Sequence, residues 1–163
     1  TKTEMTFEYI MRKSTNLALF LIIFLTSSCS PQCNQWKLAV IKADCPCASY
    51  VKVYLPACNT FNGLETVLMS SNGVVRLYFY AVTLLFPLYE NDERFCEIKL
   101  SVDEENYSFI ADRLQGGQCL LLPDDAMQLL TESLLENKCV EVTTGRYQTT
   151  LTFENFCNAY RSL

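Results

Sequence analysis

Hydrophobic and polar positions fall into three patterns along this chain. From Leu17 to Leu25 nine apolar residues run without a charge, and from residue 35 to about 122 apolar and polar residues alternate in short segments. Beyond Pro123 the spacing lengthens to that of a helix. Within the alternating part, QWKLAVIKA (35–43) sets Trp36, Leu38 and Val40 in phase, with Ile41 out of phase, and predicts a strand. YVKVYLPAC (50–58) predicts a second, stopped by Pro56, which cannot donate to a ladder. Asn62-Gly63 and Asn72-Gly73 are turn dipeptides of the hairpin kind and bracket a strand near 64–70. The β-branched and aromatic run from Val74 to Phe86 predicts a long central strand, or one with a bulge, rather than a helix. FCEIKLSV (95–102) alternates cleanly, with Cys96, Ile98, Leu100 and Val102 on one side. DEEN (103–106) is a turn, YSFIADRL (107–114) the returning strand, and QGGQ (115–118) a turn into CLLL.

Pro123-Asp124-Asp125 predicts the start of a helix near 123–136, with the proline in its first turn and carboxylates at the positive end of its dipole. Met127, Leu130 and Leu134 form its apolar face, joined by Ala126 and Leu129, and Asn137 is its stop. CVEVTT, Gly145-Arg146 and YQTTLTF predict a hairpin. ENFCNAYRSL predicts a short closing helix with Phe153, Phe156, Cys157 and Tyr160 at helical spacing. The expected fold class is β-rich α+β: an antiparallel sheet or sandwich with one amphipathic helix and a short C-terminal helix. There is no internal repeat or interior linker. The expected organisation is a signal peptide with an N-terminal extension over 1–28, a tether over 29–34, and a single β-rich domain over 35–163.

Charge and composition narrow the function classes. Ten basic and sixteen acidic residues follow residue 28, a net of −6 with no basic cluster, and nucleic-acid binding needs a cationic footprint. Histidine is absent, which removes Ser-His-Asp and Cys-His catalysis and imidazole-ligated zinc from this chain. The chain is expected to be non-enzymatic and to need no cofactor. Nine cysteines in 163 residues suit an oxidising compartment.

The N-terminal run supplies the route there. Met11-Arg12-Lys13 is a basic start, LALFLIIFL (17–25) an apolar core, and Thr26, Ser27 and Ser28 a small-residue cleavage zone, the parts of a secretory signal peptide. Nine helical residues rise about 14 Å, against roughly 30 Å for a bilayer core, too short to span. Residues 1–10 do not fit the front of such a peptide, and Met11 is the expected initiator. LTSSC (25–29) resembles the lipobox of bacterial lipoproteins, in which the signal is cut just before a cysteine that receives a diacylglyceryl group. The resemblance implies that Cys29 is the acylated N-terminus and that the membrane is met through a lipid anchor. Ser30 is not the acidic residue that retains enteric lipoproteins in the inner membrane, so the resemblance points to the outer membrane of the cell envelope. Thr26 stands where that family usually has an aliphatic residue. Cleavage near Ser28 without lipid, giving a soluble secreted binding protein, is the alternative.

Without Cys29, eight cysteines remain: Cys33, Cys45, Cys47, Cys58, Cys96, Cys119, Cys139 and Cys157. An even number suits complete disulfide pairing, whose connectivity the sequence leaves open. Cys45-Pro46-Cys47 is a C-x-C, readable as a soft-metal or thiol site with Cys33 or Cys58, or as two disulfides diverging from one turn; structural disulfides are the expectation, with no metal site. Ser49-Tyr50-Val51-Lys52 matches S-x-x-K, but its companion motifs are missing. The acidic turns Glu90–Glu93 and Asp103–Asn106 lack the EF-hand pattern and read as solvated. Asn106-Tyr107-Ser108 has the form of a glycosylation sequon. Gly116-Gly117 has no nucleotide-binding context and reads as a tight turn. Tyr78-Phe79-Tyr80 places rings on alternate faces of a strand, one of which is core or a partner groove. The order helix, hairpin, terminal helix is similar to the end of the invasion-associated locus B family of bacterial envelope proteins, which has Gly-Phe where this chain has Asn155-Phe156. The expected role is binding another envelope protein or surface component.

Overall fold

A computed structural model describes residues 34–42, 44 and 49–163. The expected signal peptide, most of the tether, and Cys29, Cys33, Cys45 and Cys47 lie outside the described residues. The rest is a β-rich α+β fold. Nine strands, β1 (Lys37–Ile41), β2 (Tyr50–Leu55), β3 (Leu64–Ser71), β4 (Val74–Ala81), β5 (Phe95–Val102), β6 (Glu105–Arg113), β7 (Cys119–Leu121), β8 (Val140–Thr144) and β9 (Tyr147–Leu151), form one sheet. Its order is β1-β2-β3-β4-β7-β6-β5-β8-β9, and neighbouring strands run antiparallel. The helices are α1 (Asp124–Leu135) and α2 (Phe156–Tyr160).

Turn chemistry sets the registers. Asn72 and Gly73 both have positive φ (52° and 76°), the geometry of a two-residue hairpin, and pair Ser71 with Val74. Asp103 and Glu104 do the same between β5 and β6. Asn62-Gly63 is different: it closes an irregular β2–β3 connection rather than a two-residue hairpin. Gly63 is needed there because a Cβ would lie 2.4 Å from the Asn59 carbonyl oxygen. At the end of α1, Asn137 turns left-handed (φ 62°). The Lys138 and Asn137 N–H groups then donate to Ser133 and Leu134 carbonyls, 2.9 and 3.2 Å, and close the helix as its sequence predicts. Asn155 also takes φ 63°, which asparagine tolerates better than most residues.

The core lies on one face of the sheet. Leu77, Phe79, Ile98, Leu100, Leu120 and Val142 point to it and are buried, together with Ala126, Leu130 and Leu134 of α1. The helix packs on α2 and on β4, β5 and β8. It leaves β1 uncovered, so Leu38 and Val40 are exposed although their alternation is that of a buried strand face. The two edges of the sheet are tied together. The Trp36 indole donates to the Thr152 carbonyl (2.6 Å), the Thr152 hydroxyl to Asn34 O (2.9 Å), and the Asn155 amide to Trp36 O (3.1 Å). Trp36 is 1% exposed and meets the Phe156 ring edge-on at 4.8 Å, so the chain enters the fold beside its own C-terminal helix.

Candidate functional site

The apolar run Val74–Phe86 does not form one strand. β4 stops at Ala81, where its last partner on β3 is Leu64 and the Ala81 N–H is taken by Gln118 O at 2.9 Å. Gly63 ends β3 on one side, and the Gly116-Gly117 turn ends the three-residue β7 on the other. No ladder partner remains, so the chain leaves the sheet still carrying apolar residues. Val82, Leu84, Leu85 and Leu88 emerge exposed, and Phe86 alone turns back into the core.

Phe61 (71% exposed) from the β2–β3 connection and Leu114 from the β6–β7 turn lie at the same end. Together these six side chains form an apolar rim, each more than a third exposed. A leucine gains about 1.5–3 kcal/mol on burial, and single exposed leucines are ordinary, whereas here several apolar side chains stand exposed on adjoining loops.

The rim is braced rather than loose. The buried Tyr147 hydroxyl donates to the Leu84 carbonyl and accepts the Leu84 N–H at 3.1 Å, clasping that residue's backbone from both sides. The Tyr147 ring packs 5.2 Å from Phe86. Phe86 N–H donates to Gly117 O (2.8 Å), and Arg113 Nε to Phe86 O (3.1 Å). The same guanidinium reaches Glu93 O at 3.2 Å. Gly117, at φ 68°, is in the left-handed region that favours glycine, and a Cβ there would displace the Arg113 guanidinium, 2.2 Å away. Gly145 leaves room for Pro87, whose Cγ would stand 2.8 Å from a Cβ. The Thr83 hydroxyl donates to the Thr60 carbonyl and joins the Phe61 loop to the rim. A groove of about 560 Å³ separates Leu85–Leu88 from Gly116-Gly117.

This end also receives the chain from its N-terminal part. Asn34 Oδ1 lies 3.5 Å from the Cys58 sulfur, and Asn59 Oδ1 accepts the N–H groups of Phe61 and Asn62, each at 2.9 Å. Asn34, Asn59, Asn62, Gln148 and Thr150 line one polar groove of about 510 Å³ beside the Phe61 loop.

The cysteines depart from complete pairing. Cys58 is disulfide-bonded. Cys96, Cys119, Cys139 and Cys157 carry free thiols in this structure. The reason is topological. Cys96 faces the core from β5, whereas Cys119 lies on the opposite face of the sheet opposite Tyr80. Cys139 is exposed before β8, and Cys157 lies in α2. The Cys96 sulfur is 3.1 Å from the Thr144 hydroxyl, which donates to Glu97 O at 2.8 Å. Burial pushes both the Cys96 and Cys119 thiols up. Burial likewise raises the Tyr80 hydroxyl, with the neighbouring Cys119 adding to it.

Other sequence candidates find structural places. Phe79 is core, while Tyr78 and Tyr80 are half-buried on the opposite face with rings 6.3 Å apart. Val67, in register between Tyr54 and Tyr78, is buried on that face too. Lys52 of the S-x-x-K match sits on a strand with its ammonium 4.7 Å from the Tyr54 ring centre. In the first acidic turn, two hydrogen bonds from the Arg94 side chain (2.7 and 3.0 Å) and one from its N–H hold the Asp92 carboxyl down at about 2. In the second, Asp103 is paired with Lys138 at 3.1 Å. Among the described residues no group of three or more Cys, Asp or Glu is placed to hold a metal ion, and no helix is long and apolar enough to cross a membrane. No family model, curated protein or solved structure matches the chain.

Proposed function

We propose that this is a non-enzymatic, lipid-anchored protein of the bacterial cell envelope, whose β-rich domain binds or braces another envelope component. The observation that carries the reading is the rigid apolar rim at the end where the chain enters the fold, at Asn34, five residues after the lipobox-like Cys29. Cysteine arithmetic supports it: nine is an odd number, so complete intrachain pairing leaves one cysteine over, as a lipid-carrying Cys29 requires. Stable anchoring takes two or more acyl chains, which a diacylglyceryl cysteine supplies without a transmembrane helix.

The test is metabolic labelling with a radioactive or clickable fatty acid. The wild type should take up label and partition into detergent, and Cys29→Ser should do neither. Equal labelling of both would end the reading in favour of an unlipidated secreted domain.

A further inference from the structure

We infer that the rim of Phe61, Val82, Leu84, Leu85, Leu88 and Leu114 is the face this protein lays on a lipid bilayer, with preference for a zwitterionic surface. The inference rests on the anchored reading above and adds an orientation and a second membrane contact to it.

Three observations converge. The first is reach. Five residues of fully extended chain span at most about 18 Å, so an acylated Cys29 would hold Asn34 within that distance of the membrane surface. A folded domain of about 100 residues has a radius of gyration near 13 Å and does not fit comfortably in such a gap, which leaves the bilayer itself as the facing surface.

The second is continuity. Asn34 touches Cys58, the loop that follows presents Phe61, and the Thr60–Thr83 hydrogen bond carries that loop onto Val82–Leu88. Apolar side chains thus begin beside the tether and extend away from it across one end of the sheet.

The third is chemistry. The rim is aliphatic and aromatic at its tips, and the backbone groups of Leu84 and Phe86 are satisfied from behind by Tyr147, Gly117 and Arg113. At those two residues the backbone can enter the headgroup region already paired, and the remaining amides of the segment would stay in the wet headgroup layer. The loop continuing from Leu88 carries Glu90, Asp92 and Glu93 against Arg94 and the adjoining Arg113, a small acidic excess that offers anionic headgroups no attraction.

The experiment uses the full chain, lipidated, reconstituted in phosphatidylcholine vesicles with and without brominated acyl chains. Trp36 is the chain's one tryptophan and is buried, so Phe61→Trp adds a reporter at an exposed site without disturbing the core. The reporter's emission should shift to the blue and be quenched about twofold by bromine, as for a group roughly 5–10 Å into the headgroup and acyl boundary. The wild type should be little affected. Adding Leu85→Glu, or replacing much of the phosphatidylcholine with phosphatidylglycerol at low salt, should reduce the quenching.

Fatty-acid incorporation is measured on the same preparation. Acylated protein with an unquenched, red-shifted reporter overturns the inference and leaves the anchor standing, with the rim turned to water or to a protein. Quenching without acylation supports the bilayer contact and overturns the anchor. Loss of both overturns both.

Discussion

In β5 every second residue is apolar, and Cys96, Ile98, Leu100 and Val102 are all buried. In residues 82–88 the apolar content is as high, yet only Phe86 is buried. β5 has β6 alongside it for its full length and β8 on its other edge, so its pleat fixes which side chains face the core. The 82–88 segment has outrun both of its strand partners, and no pleat directs it inward. Its shape comes from side-chain clasps at Tyr147 and Arg113 instead. Apolarity by itself therefore does not assign a residue to the core; the length of the neighbouring strands does.

The largest expected contrast lies between truncations in the two regions. Ile98→Ala should cost about 2–5 kcal/mol in denaturant unfolding, the usual range for a buried aliphatic, whereas Leu85→Ala should stay within roughly 0.5 kcal/mol. A comparable loss at Leu85 would place that residue in the core and dissolve the comparison.

Removing a clasp should fall between these extremes. Tyr147→Phe deletes the hydroxyl that serves both backbone groups of Leu84, and about 1–3 kcal/mol should be lost while the ring still packs on Phe86. Gly117→Ala should loosen the same segment by displacing Arg113, visible as faster proteolysis within 82–88.

In the opposite direction, the Thr66 hydroxyl is buried with no hydrogen-bond partner on the core face of β3. Thr66→Val should raise stability by about 1 kcal/mol, since the shape is kept and an unsatisfied group is removed. No gain would mean that the hydroxyl has a partner after all.

The smallest effects come from the thiols. Burial raises the Cys96 and Cys119 thiols above the ordinary value of 9.0, so the folded chain keeps both protons where the unfolded chain begins to lose them. Their contribution should be whole below pH 9 and decline as the pH rises above it. Maleimide labelling without reductant should modify exposed Cys139 first and Cys96 only on unfolding. Fewer than four reactive thiols in denaturant would restore the pairing expected from the cysteine count.

Much of the fold could be read from the pattern. The alternation in 95–102, the Asn72-Gly73 turn, the Pro123-Asp124-Asp125 helix start and the Asn137 stop each record a local rule that the packing does not override. The rim was harder to see. Val74–Phe86 is longer than the five or six residues of an ordinary strand, and that excess was the available signal. Recognising it required knowing that β7 has three residues and inserts beside β4, a long-range pairing that local periodicity does not encode. Leu38 and Val40 show the same limit: their alternation predicts the strand that forms, but does not tell whether anything covers its face. The cysteine count is silent for a different reason: an even number says nothing about which residues share a face.

The central claim is that 82–88 is a fixed apolar platform, and amide hydrogen exchange tests it residue by residue. Leu84 and Phe86 amides, bonded to Tyr147 and Gly117, should exchange as slowly as Ala81 at the end of β4, while Leu85 between them exchanges fast. That alternation would establish a braced segment displaying its apolar side chains. Uniformly fast exchange from Val82 to Leu88 would contradict it and leave a loose loop in place of a platform.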